Sequence, residues 1–483
     1  MSAFKKIVKA LIVLALSLAA QEGIATANNG ETKVVEEEEN YPFTKASGGI
    51  AAEKVAGIRV KSGKITLLSF DSSYSTADLP KDNDFSDMDF FRKYPKLMSV
   101  ELEDLTLSGD MLENLQKFFP RDLKGLIVRN CKIEEENYEL LADIIRKHEK
   151  LESVGLFFPR LQGKDSENIL SALEARKNVK VLDITVGELT SKGSENLASL
   201  IAESAEKLRG LSLGWNKIVG EDAAESYKKI ADEVRKISEL KKLEIAIMEL
   251  SEDDFKHIAD FIGDLAELRS LRLFFGNLKN HNHVRLFENA EILKNSLDKL
   301  VELEEFNVAS TDFPKDIMQL IAQAIGSMSS LKTLNVSGNA LDEKNAATLS
   351  ESIKANDSIV TLMANNCGMD AKAFNALCRS LAGVSIQHMY FRENKIKDGA
   401  KSLPIINMPE ALIIDFSENE MTYEDAMAFI QATKGHEKLH IVNFKGNSGI
   451  ESLNNQERTM KNDQLVEWKI KNQTDRQMAF FGL

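Results

Sequence analysis

Cysteine is scarce in this chain. Three residues of 483, Cys131, Cys367 and Cys378, form an odd and widely scattered set. That pattern excludes a disulfide framework. No CxxC pair or His/Cys cluster has the spacing of a zinc site. Positive charge is also short: 61 Lys and Arg stand against 75 Asp and Glu, a formal net charge of −14. Phosphate binding needs clustered Lys and Arg, so the balance argues against nucleic acid and for a soluble protein or basic partners. Long apolar runs are missing too. The longest, Ala10–Ala20 (ALIVLALSLAA), falls short of the roughly 20 residues a bilayer-spanning helix needs. No GxSxG, HExxH, P-loop or dinucleotide-binding fingerprint occurs. The sequence therefore implies no enzyme and no cofactor.

What is present begins with a targeting segment. Lys5, Lys6 and Lys9 precede the apolar run, and Ala25-Thr26-Ala27 places small residues where a signal peptidase reads. Residues 1–27 are expected to be a signal peptide; an uncleaved anchor or a buried N-terminal helix is the alternative. Residues 28–57, with Glu36 to Glu39, have the composition of an acidic flexible leader.

From residue 58 to 450 one pattern recurs in about 14 copies, spaced roughly 28 residues apart. The template is LxxLxLxxNxL, then a polar turn, then an amphipathic stretch. Clear copies are Leu208-Leu211-Leu213-Asn216-Ile218, Leu331-Leu334-Val336-Asn339-Leu341, Ile386-Met389-Phe391-Asn394-Ile396, Ala411-Ile414-Phe416-Asn419-Met421 and Leu439-Val442-Phe444-Asn447. A degenerate first copy is expected at Ile65. Apolar residues at template positions 4 and 6 define a short strand with one buried face. Asn at position 9 both donates and accepts, so it can satisfy backbone groups where the chain leaves the strand. Cys131 and Cys367 take that position and read as structural thiols. The second half of each unit is helical: Ala346, Leu349 and Ile353 share one face, as do Phe255, Ile258 and Phe261. The expected fold is an α/β leucine-rich-repeat solenoid, a curved horseshoe with parallel strands on the concave face and helices on the convex face. Residues 451–483, with Trp468 and Met478-Ala479-Phe480-Phe481, are expected to form a helical C-terminal cap.

The repeat length and the strand–helix alternation resemble the ribonuclease-inhibitor-like leucine-rich repeats over about residues 60 to 450. The resemblance implies a fold and leaves activity open, because that family holds inhibitors, receptors, bacterial effectors and GTPase-activating proteins. A signal peptide without cysteine-rich end caps resembles bacterial exported forms, periplasmic or secreted.

Template positions 3, 5 and 7 face away from the core, and position 8 begins the turn. Phe157, Phe158, Val186, Trp215, Ile247, Phe274 and Phe275 fall at positions 7 and 8 of five adjacent units, beside Arg272. Neighbouring strands lie about 4.8 Å apart, so these side chains form either one exposed binding stripe or, if position 8 turns inward, an extension of the core. Tyr390 with Arg392 is a smaller second candidate. His281 and His283 form a loop HxH that reads as solvated histidines. The pair Asp253-Asp254 reads as a helix start. Asn335, Asn356 and Asn472 match glycosylation acceptors. The expectation is a non-catalytic protein-recognition scaffold with a protein partner on its concave face. A regulator of a partner enzyme, with Arg129 acting in trans on a nucleotide, and a structural envelope protein are the alternatives.

Overall fold

In the computed structural model the described residues are 97–447, apart from 175, 221, 277–282, 312, 398–402 and 434–435. To these are added 23–25, 35–37, 57–62, 64–70, 73–75 and 479–481. Side chains are described at 59–62 and within 97–447, except at 215, 216, 224, 283–285 and 406. The chain divides into two compact units, residues 1–51 and 52–483. In the first, strands Gly23–Ala25 and Val35–Glu37 pair antiparallel. The remainder of the expected signal peptide and leader lies outside the described residues.

The second unit is built on one long sheet. Its strands are β1 (Gly57–Lys61), β2 (Lys64–Phe70), β3 (Ser73–Ser75), β4 (Ser99–Glu103), β5 (Gly125–Arg129) and β6 (Ser153–Phe158). Then come β7 (Val181–Thr190), β8 (Gly210–Val219), β9 (Lys242–Ile247), β10 (Ser270–Phe275) and β11 (Glu305–Asn307). The last are β12 (Thr333–Asn335), β13 (Thr361–Met363), β14 (His388–Tyr390), β15 (Ile413–Asp415), β16 (Ile441–Asn443) and β17 (Ala479–Phe481). From β4 onward each strand pairs in parallel with the next, and β1 pairs in parallel with β4. Strands β1, β2 and β3 form antiparallel hairpins. Among the described residues no pairing joins β3 to β17.

The expected first repeat at Ile65 is corrected by β2. A parallel neighbour needs a crossover of a dozen or more residues. Only residues 62 and 63 separate β2 from β1, and Ser62 takes a left-handed φ of 50° in that turn. The parallel series starts at β1 instead. At the other end β17 adds a strand beside β16, where a helix was expected; the remainder of 451–483 lies outside the described residues.

A helix follows most strands. Six of them start on a Ser, Thr or Asp whose side chain accepts a backbone N–H: Ser108, Thr190, Ser251, Asp342, Asp370 and Thr422. At Ser251 the capping box closes through Asp254, so this acidic residue belongs to the helix start as the sequence suggests. The helices bury the faces their periodicity predicts: Phe255, Ile258 and Phe261 are buried, as are Ala346, Leu349 and Ile353. One continuous core runs from Val60 to Phe444 between the sheet and the helices. Helices are about 10 Å wide and strands about 4.8 Å apart. Stacking both at one repeat per step therefore bends the solenoid, with the sheet on the inner side.

The strands end in two ways, and this difference shapes the inner face. In the repeats of β4, β5 and β11 to β16, position 8 takes a left-handed φ: Asp104, Asn130, Ser310, Gly338, Asn366, Glu393, Glu418 and Gly446. The N–H of that residue donates to the next unit, as from Asn366 to Arg392 O at 2.7 Å and from Glu418 to Lys445 O at 2.8 Å. The reversal sends position 9 inward. Asn394 donates to Ala364 O (2.8 Å) and Phe391 O (2.9 Å), and its Oδ1 accepts from the amides of Cys367 and Met369. Asn339, Asn419 and Asn447 repeat the arrangement. In β6, β7, β9 and β10 the strand stays extended through position 8. Two-residue alternation then turns position 8 to the core beside positions 4 and 6. Phe158, Val186, Ile247 and Phe275 are accordingly buried. The same alternation continues along β7, which runs ten residues to Thr190 in register with β8.

Candidate protein-binding surface

Every described helix of the second unit packs on the core side of the sheet, so the other face carries positions 3, 5 and 7 in straight rows. The position 5 row reads Arg59, Glu101, Ile127, Gly155, Asp183, Ser212, Glu244, Arg272, Asn307, Asn335, Met363, Tyr390, Asp415 and Asn443 in Cα register. The first part of it is a chain of opposite charges. Arg59 meets Glu101 at 2.7 Å. Arg129, two residues along β5 from Ile127, meets Glu101 at 3.5 Å and Asp183 at 3.2 Å. Gly155 lies between β5 and β7 on this row, and its lack of a side chain leaves the path to Asp183 open.

The next group, Glu244, Arg272 and Glu305, spans β9 to β11. Arg272 lies 3.7 Å from Glu244 and 3.3 Å from Glu305, and Ser270 donates to Glu305 at 2.9 Å. Both Glu244 and Arg272 are almost fully buried, at 2% and 3% exposure. Burial pushes the Glu244 carboxyl above the ordinary carboxylate range, with Arg272 opposing the shift and Asp183 adding to it. Thr185, Phe274 and Asn307 around this group are also buried.

The aromatic stripe expected at positions 7 and 8 is divided by the strand geometry. Phe158, Ile247 and Phe275 are not exposed, which corrects the expectation of an open stripe. Phe158 meets the Tyr138 ring edge-on at 5.9 Å; Phe275 does the same with Phe255 at 5.5 Å and Phe313 at 6.5 Å. These rings serve the core, as does Val186. Arg272 is likewise enclosed. Phe274 sits on the inner face at position 7 but is only 7% exposed. Phe157, also at position 7, stays half-buried on that face. In β8 the backbone places Trp215 in register with Val186 and Ile247; its side chain lies outside the described residues. Phe157 and Phe274 thus bracket a floor of Thr185, Gly214 and Ala246 about 19 Å across, four strand spacings.

Further along, the face is polar. Tyr390 is half-buried and Arg392 is exposed, paired with Glu393 at 3.1 Å. His388 lies 3.3 Å from the Thr361 hydroxyl, and burial lowers its pKa. The charge ladder does not show among the aromatic letters of the template. Its signal was available: opposite charges at position 5 of adjacent units, as at Glu244 and Arg272.

The cysteines hold structural places. Cys367 donates to Val336 O at 3.5 Å, and half-buried Cys131 to Leu102 O at 3.6 Å. Burial pushes these thiols up, to about 12 and about 11, and raises Cys378 as well. Asn356 is buried, with Nδ2 donating to Ile325 O at 3.1 Å, so its side chain is not presented for glycosylation. Asn335 is half-buried on the inner face, and Asn472 lies outside the described residues, as do His281 and the side chain of His283. Among the described residues, no group of three His, Cys, Asp or Glu is placed to hold a metal ion. No described helix is long and apolar enough to cross a membrane.

No protein-family model matches the chain. Among solved structures it is similar to the crystal structure of the Rad7 and Elc1 complex in yeast, at 12% sequence identity and a TM-score of 0.38. That match covers 73% of this chain and 89% of the other.

Proposed function

We propose that the chain is a non-catalytic recognition scaffold of the ribonuclease-inhibitor-like repeat class that holds a protein partner on the inner face of its sheet. One observation carries this reading. Consecutive parallel strands present aligned rows of charged, polar and aromatic side chains on a face that the described helices leave uncovered. Such an array offers many polar contacts of fixed spacing and no cleft of converging catalytic groups. Residues 1–27 act as an export signal on this reading, placing the protein in a bacterial periplasm or outside the cell. Arg129 is committed to Glu101 and Asp183 within the chain, which weighs against its serving as an arginine donated to a partner enzyme.

The test is capture by substitution. Phe157→Arg and Tyr390→Arg alter the inner face at two distant points, and Lys256→Glu alters an exposed position of the helix Glu252–Ile262. The first two are expected to weaken partner capture at least tenfold with unchanged thermal unfolding, and the third to leave it intact. Equal capture by all three contradicts an inner-face site.

A further inference from the structure

The position 5 row changes its work between β11 and β16. Asn307, Asn335, Asp415 and Asn443 each use Oδ1 to accept the amide two residues on, at 2.9, 3.1, 2.8 and 3.0 Å. These bonds hold the chain where it enters the turn. In β13 and β14 the row carries Met363 and Tyr390 instead. There the preceding strand takes over: Ser337 Oγ accepts the Asn365 amide at 3.0 Å, and Asn365 Oδ1 accepts the Arg392 amide at 2.8 Å. The turns are thus held without Met363 or Tyr390. Both are half-buried on the inner face, in register on adjacent strands, with Asp415 next in the row.

Asp415 is a second departure. The other acids at positions 3, 5 and 7 each meet an Arg or Lys of the chain: Glu101, Glu103, Asp183, Glu244 and Glu305. Asp415 meets none among the described residues, and the Ser417 amide engages only its Oδ1. It is partly exposed, so Oδ2 is open to a partner. Around it Arg392 is held by Glu393 at 3.1 Å, and Glu418 and Lys445 end the neighbouring strands. Three carboxylates there stand against two cations.

The row therefore asks for a cation at one end and apolar length behind it. Met363 and Asp415 stand two strand spacings apart, roughly 10 Å. A carboxylate would face Asp415, and a wholly apolar side chain would cover Oδ2 without a donor. A Lys or Arg lays its aliphatic stem on apolar surface and keeps its head polar, and a cation gains further over a Tyr ring. We infer that Met363, Tyr390 and Asp415 form a recognition site for a basic side chain, a Lys or Arg of the bound protein. This inference rests on the inner-face reading above and adds the chemistry of the partner residue.

The experiment uses the full chain and three capped amino acids, followed through the Met363 methyl resonance, which is assigned by its loss in Met363→Leu. The probes are N-acetyllysine methylamide, N-acetylnorleucine methylamide, which has the stem without the charge, and N-acetylglutamate methylamide. The lysine probe is expected to shift the resonance saturably, and the other two to bind at least fivefold more weakly. Asp415→Asn keeps an oxygen for the Ser417 amide, as Asn443 does for Lys445. It is expected to leave thermal unfolding unchanged and to erase the preference for lysine over norleucine. A norleucine or glutamate probe that binds as well as lysine, a preference that survives Asp415→Asn, or a resonance that no probe moves overturns the assignment. If it is overturned while Phe157→Arg still loses the partner, only this inference falls. If Phe157→Arg and Tyr390→Arg both keep the partner, the inner-face reading falls with it.

Discussion

The repeats of β6 to β10 and those of β12 to β16 share one template and finish it differently. In the later set a left-handed residue at position 8 turns the chain out of the sheet, and a buried polar residue at position 9, Asn in most units, ties each turn to the unit before it. Position 8 is then a surface residue, as at Asn366, Glu393 and Glu418. In the earlier set the strand runs straight on, and position 8 of β6, β7, β9 and β10 belongs to the core. The same template position thus means surface in one half and interior in the other. The consequence for function is that the inner face of the earlier set is narrower in aromatic character than its letters suggest, and its centre is the buried charge group around Arg272.

Four substitutions test this comparison, with the largest losses expected in the core and the asparagine ladder. Phe275→Ala removes a core ring and is expected to cost about 3 to 5 kcal/mol in urea unfolding. Glu418→Ala at the equivalent position is expected to fall within about 0.5 kcal/mol of the parent. Comparable losses at both sites would erase the distinction. Asn394→Ala removes the hydrogen bonds to Ala364 O and Phe391 O and those from the amides of Cys367 and Met369, and a loss of about 3 kcal/mol is expected. A neutral result would show the asparagine ladder to be dispensable. The smallest effect is on pH dependence. Cys131 and Cys367 have folded-state pKa values raised to about 11 and about 12. Their contribution is therefore full below the unfolded thiol value near 9 and is lost as pH rises through the folded values. Stability of a Cys367→Ala variant is expected to fall less steeply than the parent between pH 9 and 12, measured by thermal unfolding. A parallel fall in both would remove the thiol from the account.

Much of the architecture was legible in the letters. Leucines at positions 4 and 6, Asn at position 9 and helical periodicity between them specify the sheet, the ladder and the layer of helices. Cys131 and Cys367 could be placed at the ladder position from spacing alone. The direction of position 8 was not legible from the aromatic letters, because it depends on whether the backbone reverses there. A hint lay one residue on. Where Asn, Cys or Thr is replaced by Pro159, Gly187, Met248 or Gly276, no ladder residue exists to hold a reversal. At Gly187 and Gly276 the strand ends crowd so closely that a Cβ would come within 2.8 Å of Pro159 O and 2.6 Å of Met248 O. Asn216 breaks this rule, since β8 stays extended through it, and so does Leu105, which follows the left-handed Asp104. The Glu244–Arg272 pair escaped notice because each residue alone reads as an ordinary solvated charge; only their register on adjacent strands makes them a pair.

The most direct test of recognition by the inner face is site-specific photo-crosslinking in living cells. A photoreactive residue is placed at 157, 390, 275 and 256 in turn, with folding of each variant checked by thermal unfolding. The account predicts a discrete crosslinked partner from positions 157 and 390, and none from the core position 275 or the helix position 256. Crosslinks from 256 equal to those from 157 and 390, or none from either inner-face position, would contradict it.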